Sequence, residues 1–142
     1  MTIAAILGER RGAVISIACD ATVREAVALL ADRRIGALPV LKAGRVVGIF
    51  SERDVIYCVA EAGESALAKR VEEVMTAPAQ TVSPAHSVLG ALSLMTARRF
   101  RHLPVVEDDE LVGFVSIGDL VKYRIDRIEA EAAAMRDYIQ SV

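Results

Sequence analysis

The sequence predicts an α/β protein of the α+β kind, in which two β-α-β-β-α units are related by a pseudo-twofold axis. Three observations lead there. Shifted by 65 residues, the chain lies on itself without a gap, and residues 17–56 and 82–121 share 12 identities in 40 positions. The identities include Pro39 with Pro104, Gly48 with Gly113, Ser51 with Ser116 and Asp54 with Asp119, and most other matched apolar positions stay apolar. Within each copy, apolar residues recur at helical spacing beside short β-rich runs. Units this short each leave a hydrophobic face bare, so the two should pack together, with a ligand cleft on the axis between them.

The elements follow in chain order. Residues 1–12 read as a short helical cap over one end of the first unit, which occupies residues 13–63. That unit opens with a β-rich run over residues 13–18. Thr22 and Glu25 then form a capping-box pattern ahead of Val23, Val27 and Leu30. Two strands, residues 37–41 and 45–50, flank Lys42-Ala-Gly44, and a second helix starts at Ser51. Pro39 implies that its strand pairs on one side only near that point. Residues 64–78 link the units through a helix over 65–75. The second unit spans residues 79–142: a β-rich run over 79–83, a helix capped by Ser87, strands over 102–107 and 111–115, and a helix from Ser116. That last helix is long. Val121, Ile125, Ile128, Ala132, Met135 and Ile139 alternate spacings of four and three along it, a narrow apolar seam. The seam either packs back on the same chain or, since the helix outruns its counterpart in the first unit, against a second copy in a homodimer. Arg33-Arg34 and Arg98-Arg99 fall late in the preceding helices, where cations complement the helix dipole.

Composition narrows the function. The 142 residues are 54% hydrophobic and 25% charged with a net charge of −2, which suits a globular core and lacks the basic excess of a nucleic-acid-binding protein. No apolar run reaches membrane-spanning length, and residues 1–15 do not read as a signal peptide. Cys19 and Cys58 stand far apart without metal-like spacing, as reduced core residues of a cytoplasmic protein would. No nucleophile–base pattern, metal cluster or phosphate loop marks an enzyme.

Ser51 with Asp54, and Ser116 with Asp119, carry the chemistry. Each pair lies where a strand runs into a helix start, a junction that presents free amides and the positive end of a dipole. The hydroxyl can donate to a phosphate oxygen, and the carboxylate, one turn on, can accept from ribose hydroxyls. The same spacing also makes a capping box that needs no ligand, and one serine can serve both roles. Arg53 sits in the first turn of a helix, where a cation opposes the dipole, which suits either a job with an anion or a side chain that simply faces solvent.

Ile35-Gly-Ala-Leu-Pro-Val40 with Gly48-Ile-Phe-Ser-Glu-Arg-Asp54, and Arg101-His-Leu-Pro-Val-Val106 with Gly113-Phe-Val-Ser-Ile-Gly-Asp119, resemble a tandem pair of CBS domains, the modules named after cystathionine β-synthase. The resemblance covers residues 14–122, and Val74-Met-Thr76 is also common in the family. It implies a regulatory pair that binds AMP, ADP, ATP or NAD(H), less expectedly S-adenosylmethionine, between the units and signals occupancy to an effector protein. Stand-alone pairs resemble bacterial signal-transduction modules and plant organellar proteins proposed to regulate thioredoxins. By analogy each cleft joins the Ser/Asp of one unit to the residues before the proline of the other. Ser51, Asp54, Arg101 and His102 would then form the phosphate-rich cleft, since a basic pair at this place reaches phosphates in relatives such as the AMP-activated kinase gamma subunit. Ser116, Asp119, Gly36 and Ala37 would form a roomier one. The competing reading is a constitutive scaffold whose Ser/Asp pairs only cap helices.

Overall fold

In a computed structural model, which describes residues 1–8 and 14–141, the repeat folds as two α+β units. The first strand of unit 1 is β1 (Ile17–Ala18), parallel to β2 (Ala37–Lys42), which runs antiparallel to β3 (Arg45–Ser51). Parallel pairing begins at Val40, one residue past Pro39, so the missing proline N–H interrupts no ladder bond. In unit 2, β4 (His102–Glu107) and β5 (Glu110–Ser116) form the matching hairpin. The strand expected over residues 79–83 reduces to one parallel bridge between Val82 and Val105. Both hairpins turn on two residues with positive φ, Ala43-Gly44 and Asp108-Asp109, the mirror-image turn whose twist matches that of the strands. Both carry a register shift just past the proline, at Val40/Leu41 and at Val105/Val106.

Helices α2 (Val23–Arg33) and α5 (Val88–Arg98) follow the first-strand segments. Thr22 caps α2 with a complete box, its hydroxyl accepting from the Glu25 amide at 3.1 Å, and Ser87 caps α5 by accepting from Gly90 at 2.9 Å. Both helices end on an arginine in the left-handed region, Arg34 and Arg99. Helices α3 (Glu52–Ala62) and α6 (Ile117–Gln140) start directly from the ends of β3 and β5. β3 and β5 pack against each other where the units meet.

The segments outside the repeat fall into place differently from the sequence reading. The linker is not one helix. A 3-10 turn (Gly63–Ala68) and a short α4 (Val71–Val74) are separated at Lys69-Arg70, because the backbone there is committed to unit 1: Val23 N–H donates to Lys69 and Val71 N–H to Ala21. Helix α1 (Ile3–Leu7) covers unit 2, not unit 1. Its bonds reproduce those of the linker, with Val88 N–H donating to Met1, Ile3 N–H to His86 and Ala4 N–H to Pro84. Ile3 and Leu7 are buried among Val88, Met95, Leu103 and Leu120, as Val71 is among Val23, Leu38 and Phe50. Residues 9–13, which held the end of the expected cap and the start of the first β-rich run, lie outside the described residues. Cys19 and Cys58 are unpaired thiols in the core of unit 1.

Candidate functional site

The two Ser/Asp junctions are built alike. At each, the serine ends a strand in extended conformation, its hydroxyl accepts from the aspartate amide, and one carboxylate oxygen accepts from the serine N–H at 2.9 Å. These are full capping boxes, so the helix starts are explained before any ligand is considered.

The boxes differ in what else they hold. Asp54 is 9% exposed and fully engaged. One oxygen accepts from both the N–H and the hydroxyl of Ser51, the latter at 3.1 Å, and the other accepts from the Thr76 hydroxyl at 3.0 Å. Thr76 is held there by a reciprocal backbone pair with Ile49, 2.9 Å in each direction. Met75 lies over Gly48 so closely that a Cβ on that glycine would stand 2.6 Å from its sulfur and 2.8 Å from the Thr76 carbonyl. The linker therefore fills the approach to the first junction.

Asp119 is exposed, and only one of its oxygens has a partner among the described residues. The Ser116 hydroxyl likewise accepts from Asp119 N–H at 3.1 Å and has no acceptor of its own among them. The covering segment explains the difference. The position matching Met75 is Leu7, against Gly113, and the position matching Thr76 is Gly8, which has no hydroxyl to give. Ser116 and Asp119 open onto a cavity of about 420 Å³ whose far wall is Ile35, Gly36 and Ala37 of unit 1. Apolar side chains from Ile6, Leu7, Val14 and Ile15 line it further. A Cβ on Gly36 would lie 3.3 Å from the Glu52 carboxylate and 3.6 Å from the His102 ring, so a larger residue would crowd this wall.

His102 belongs to this cavity. It sits opposite Ser116 in the β4–β5 register and stacks on Phe114, ring centroids 5.4 Å apart and planes 12° from parallel. Burial, with some help from Arg101, lowers its pKa below the usual 6.5, against the pull of Asp119 and Glu52 in the other direction, and so favours the neutral ring. The sequence reading had grouped His102 with Ser51, Asp54 and Arg101. The structure instead gathers Gly36, Ala37, His102, Ser116 and Asp119, while Ser51 and Asp54 close on the linker. Arg53 and Arg101 are exposed and line neither this cavity nor the shallower one between α2 and α3. Sequence reasoning missed Phe114, Leu7 and Thr76; the aromatic at Phe114, where unit 1 has Ile49, was the available signal for the first.

Among the described residues no cluster of His, Cys, Asp and Glu could hold a metal, and no helix is long and apolar enough to cross a membrane.

Known proteins bear on this site. The family model described as CBS domain matches residues 10–61 and 71–126. CBS domain-containing protein CBSX3, mitochondrial, of Arabidopsis thaliana is 37% identical over 126 residues, 85% of this chain; the chain spans only 61% of that relative's length. The crystal structure of the CBS-domain containing protein ATU1752 from Agrobacterium tumefaciens superposes with a TM-score of 0.82 at 36% identity, covering 87% of this chain and 99% of that one. The fold is also that of CBSX2 solved in complex with AMP (TM-score 0.75, 23% identity, 88% and 96% coverage). It is shared too by the CBS domain pair of MJ0100 solved with 5′-methylthioadenosine and S-adenosyl-L-methionine (TM-score 0.78, 24% identity, 89% and 98% coverage).

Proposed function

The chain belongs to the CBS-domain family, of which it carries two units, and from that premise we propose that it is a regulatory module. It takes one adenosine-containing molecule in the cavity between Asp119 and Gly36, and conveys occupancy to a partner protein. The observation that carries this reading is the unengaged half of the second box. Among the described residues, a carboxylate oxygen without a donor and a hydroxyl without an acceptor face a largely apolar cavity. AMP in CBSX2 and the two adenosine compounds in MJ0100 support that class of ligand.

Each lining residue has a role in this reading. Asp119 accepts from the ribose hydroxyls with the oxygen its cap leaves over. Ser116 donates to the 5′ substituent, beside the positive end of the α6 dipole. The apolar wall of Leu7, Ile15 and Ile35, with the stacked His102 and Phe114, receives the flat adenine, and Gly36 and Ala37 leave it room. Arg53 and Arg101 do not take part. Ser51 and Asp54 serve as structure, so the binding ratio is one ligand per chain.

Thermal unfolding with AMP, ADP, ATP, NAD⁺, NADH and S-adenosylmethionine tests this. The binding ligand should stabilise the fold by about 2.7 kcal/mol at a hundredfold excess over Kd. Asp119→Ala should abolish that shift and Asp54→Ala should keep it. A midpoint that stays put across the whole panel would reject the sensor and leave the scaffold reading standing.

A further inference from the structure

Helix α1 and the linker around α4 cover one unit each, and they are held with unequal strength. At the start of α4 the Glu73 carboxylate accepts from Arg70 N–H at 2.7 Å. Beyond its end Thr76 is fixed by the backbone pair with Ile49 and by its hydroxyl bond to Asp54. Helix α1 has no counterpart to either. The Thr2 side chain caps nothing, and among the described residues no bond from Gly8 to β5 matches the Ile49–Thr76 pair. Five residues are also too few to hold a helix by themselves in water.

What keeps α1 in place is its backbone contact with residues 84–88 and two buried side chains. Ile3 enters the core of unit 2, and Leu7 lies against Gly113. Elements held by so few contacts are drawn from the low end of the range of local stability. The same helix is also a wall of the ligand cavity. Ile6 and Leu7 line it beside Ser116 and Asp119, whereas Ile3 is not among its lining residues. Anchor and wall are thus separate residues of one short helix. A molecule that fills the cavity meets Ile6 and Leu7 only while α1 is docked, so it binds the docked state more tightly. By reciprocity it must favour docking by the same factor. In unit 1 the linker fills the matching place itself, with Met75 over Gly48 and Thr76 on Asp54, and leaves no such contact for a ligand to add.

Resting on the reading of this cavity as a ligand site, we propose that α1 is a ligand-coupled latch. Without ligand it opens locally from unit 2, and a molecule bound against Ile6 and Leu7 holds it shut. Occupancy is thereby turned into a change in what unit 2 exposes, because an open α1 uncovers the apolar floor on which Ile3 and Leu7 sit.

Amide hydrogen exchange on the full chain, followed by NMR, tests the latch. Ile3 and Ala4 donate to the segment before α5 as Val71 and Glu72 donate to the segment before α2, so the two pairs of amides are directly comparable. Without ligand, Ile3 and Ala4 should be protected at least tenfold less than Val71 and Glu72. AMP, NADH and S-adenosylmethionine, added separately, are the probes. A compound that raises the unfolding midpoint should slow exchange at Ile3 and Ala4 at least tenfold more than at Val71 and Glu72. Ile3→Ala loosens the anchor without touching the cavity wall. It should speed exchange throughout α1 and weaken that compound at least threefold, since less of the protein is in the binding-competent state. Ala5→Gly, on the exposed side of α1, should act in the same direction with a smaller effect, and serves if Ile3→Ala does not fold. Equal protection of the two pairs, a raised midpoint with α1 exchange unchanged, or full affinity in both variants would overturn the latch and leave the cavity reading standing. A midpoint unmoved by all three compounds would overturn both.

Discussion

Asp54 and Asp119 hold the same place in two copies of one unit and differ in what reaches them. Each gives one carboxylate oxygen to a helix cap. In unit 1 the second oxygen is taken by Thr76, and the close approach at Gly48 is taken by Met75. In unit 2 no described residue takes the second oxygen, and Asp119 lines the cavity. A capping box uses half of a carboxylate, so the cap alone says nothing about binding. Whether the other half is engaged by the chain separates a structural aspartate from one available to a ligand.

The sharpest way to break this comparison is at the paired glycines. Gly48→Ala should destabilise the protein by up to about 3 kcal/mol in denaturant melts, because the new methyl meets the backbone carbonyl of Thr76, which cannot step aside. Gly113→Ala should cost clearly less. Its methyl meets the terminal carbons of Leu7, 2.5 and 3.0 Å away, and a side-chain end can turn. Equal losses would mean that the linker is as yielding as Leu7 and that the first junction is not closed.

A smaller effect follows at the acids. Asp54→Ala removes the acceptor for Ser51 and Thr76 together and should cost on the order of 2 kcal/mol. Asp119→Ala, exposed and bonded once, should cost less. Thr76→Val leaves one Asp54 oxygen without its donor at a loss of about 1 kcal/mol. An unchanged melt in Thr76→Val would show that the contact holds nothing in place.

The smallest effect is in pH. His102 has its pKa lowered by folding, so between that value and 6.5 the unfolded chain binds more protons than the folded one. Stability is full above 6.5 and falls as pH drops below it. His102→Gln should flatten that slope, and unit 1, with no histidine at Ala37, has no counterpart to it. A slope identical in wild type and variant would place the titration elsewhere.

The repeat made most of the fold legible. Thr22, Ser51, Ser87 and Ser116 announce helix starts by local hydrogen bonding, and such bonds depend on residues three apart. The covering segments were not legible for the opposite reason. Ile3 and Val71 play equivalent parts, yet they are 68 residues apart where the repeat is 65, so alignment in register hides them. The closure of Asp54 depends on Thr76, which lies 22 residues away and reaches it only once the linker has paired with β3. The helix expected over residues 65–75 failed at Lys69-Arg70, where tertiary backbone bonds outweigh local propensity. Placing His102 in the first cleft rested on an analogy between whole units, and the β4–β5 register puts it beside its own Ser116 instead.

The exchange of covers has a consequence for how the chain comes together in time. Unit 1 draws its lid from the segment that follows it directly, so its contacts close over short loops and can form as soon as residue 76 has been synthesised. Unit 2 draws its lid from residues 1–8, which come before it in the chain, and α1 must wait for a binding surface some 85 positions downstream. Closing a loop of that size is entropically slow. The last step of folding is therefore expected to be the docking of α1 on unit 2, which completes the cavity wall at Ile6 and Leu7.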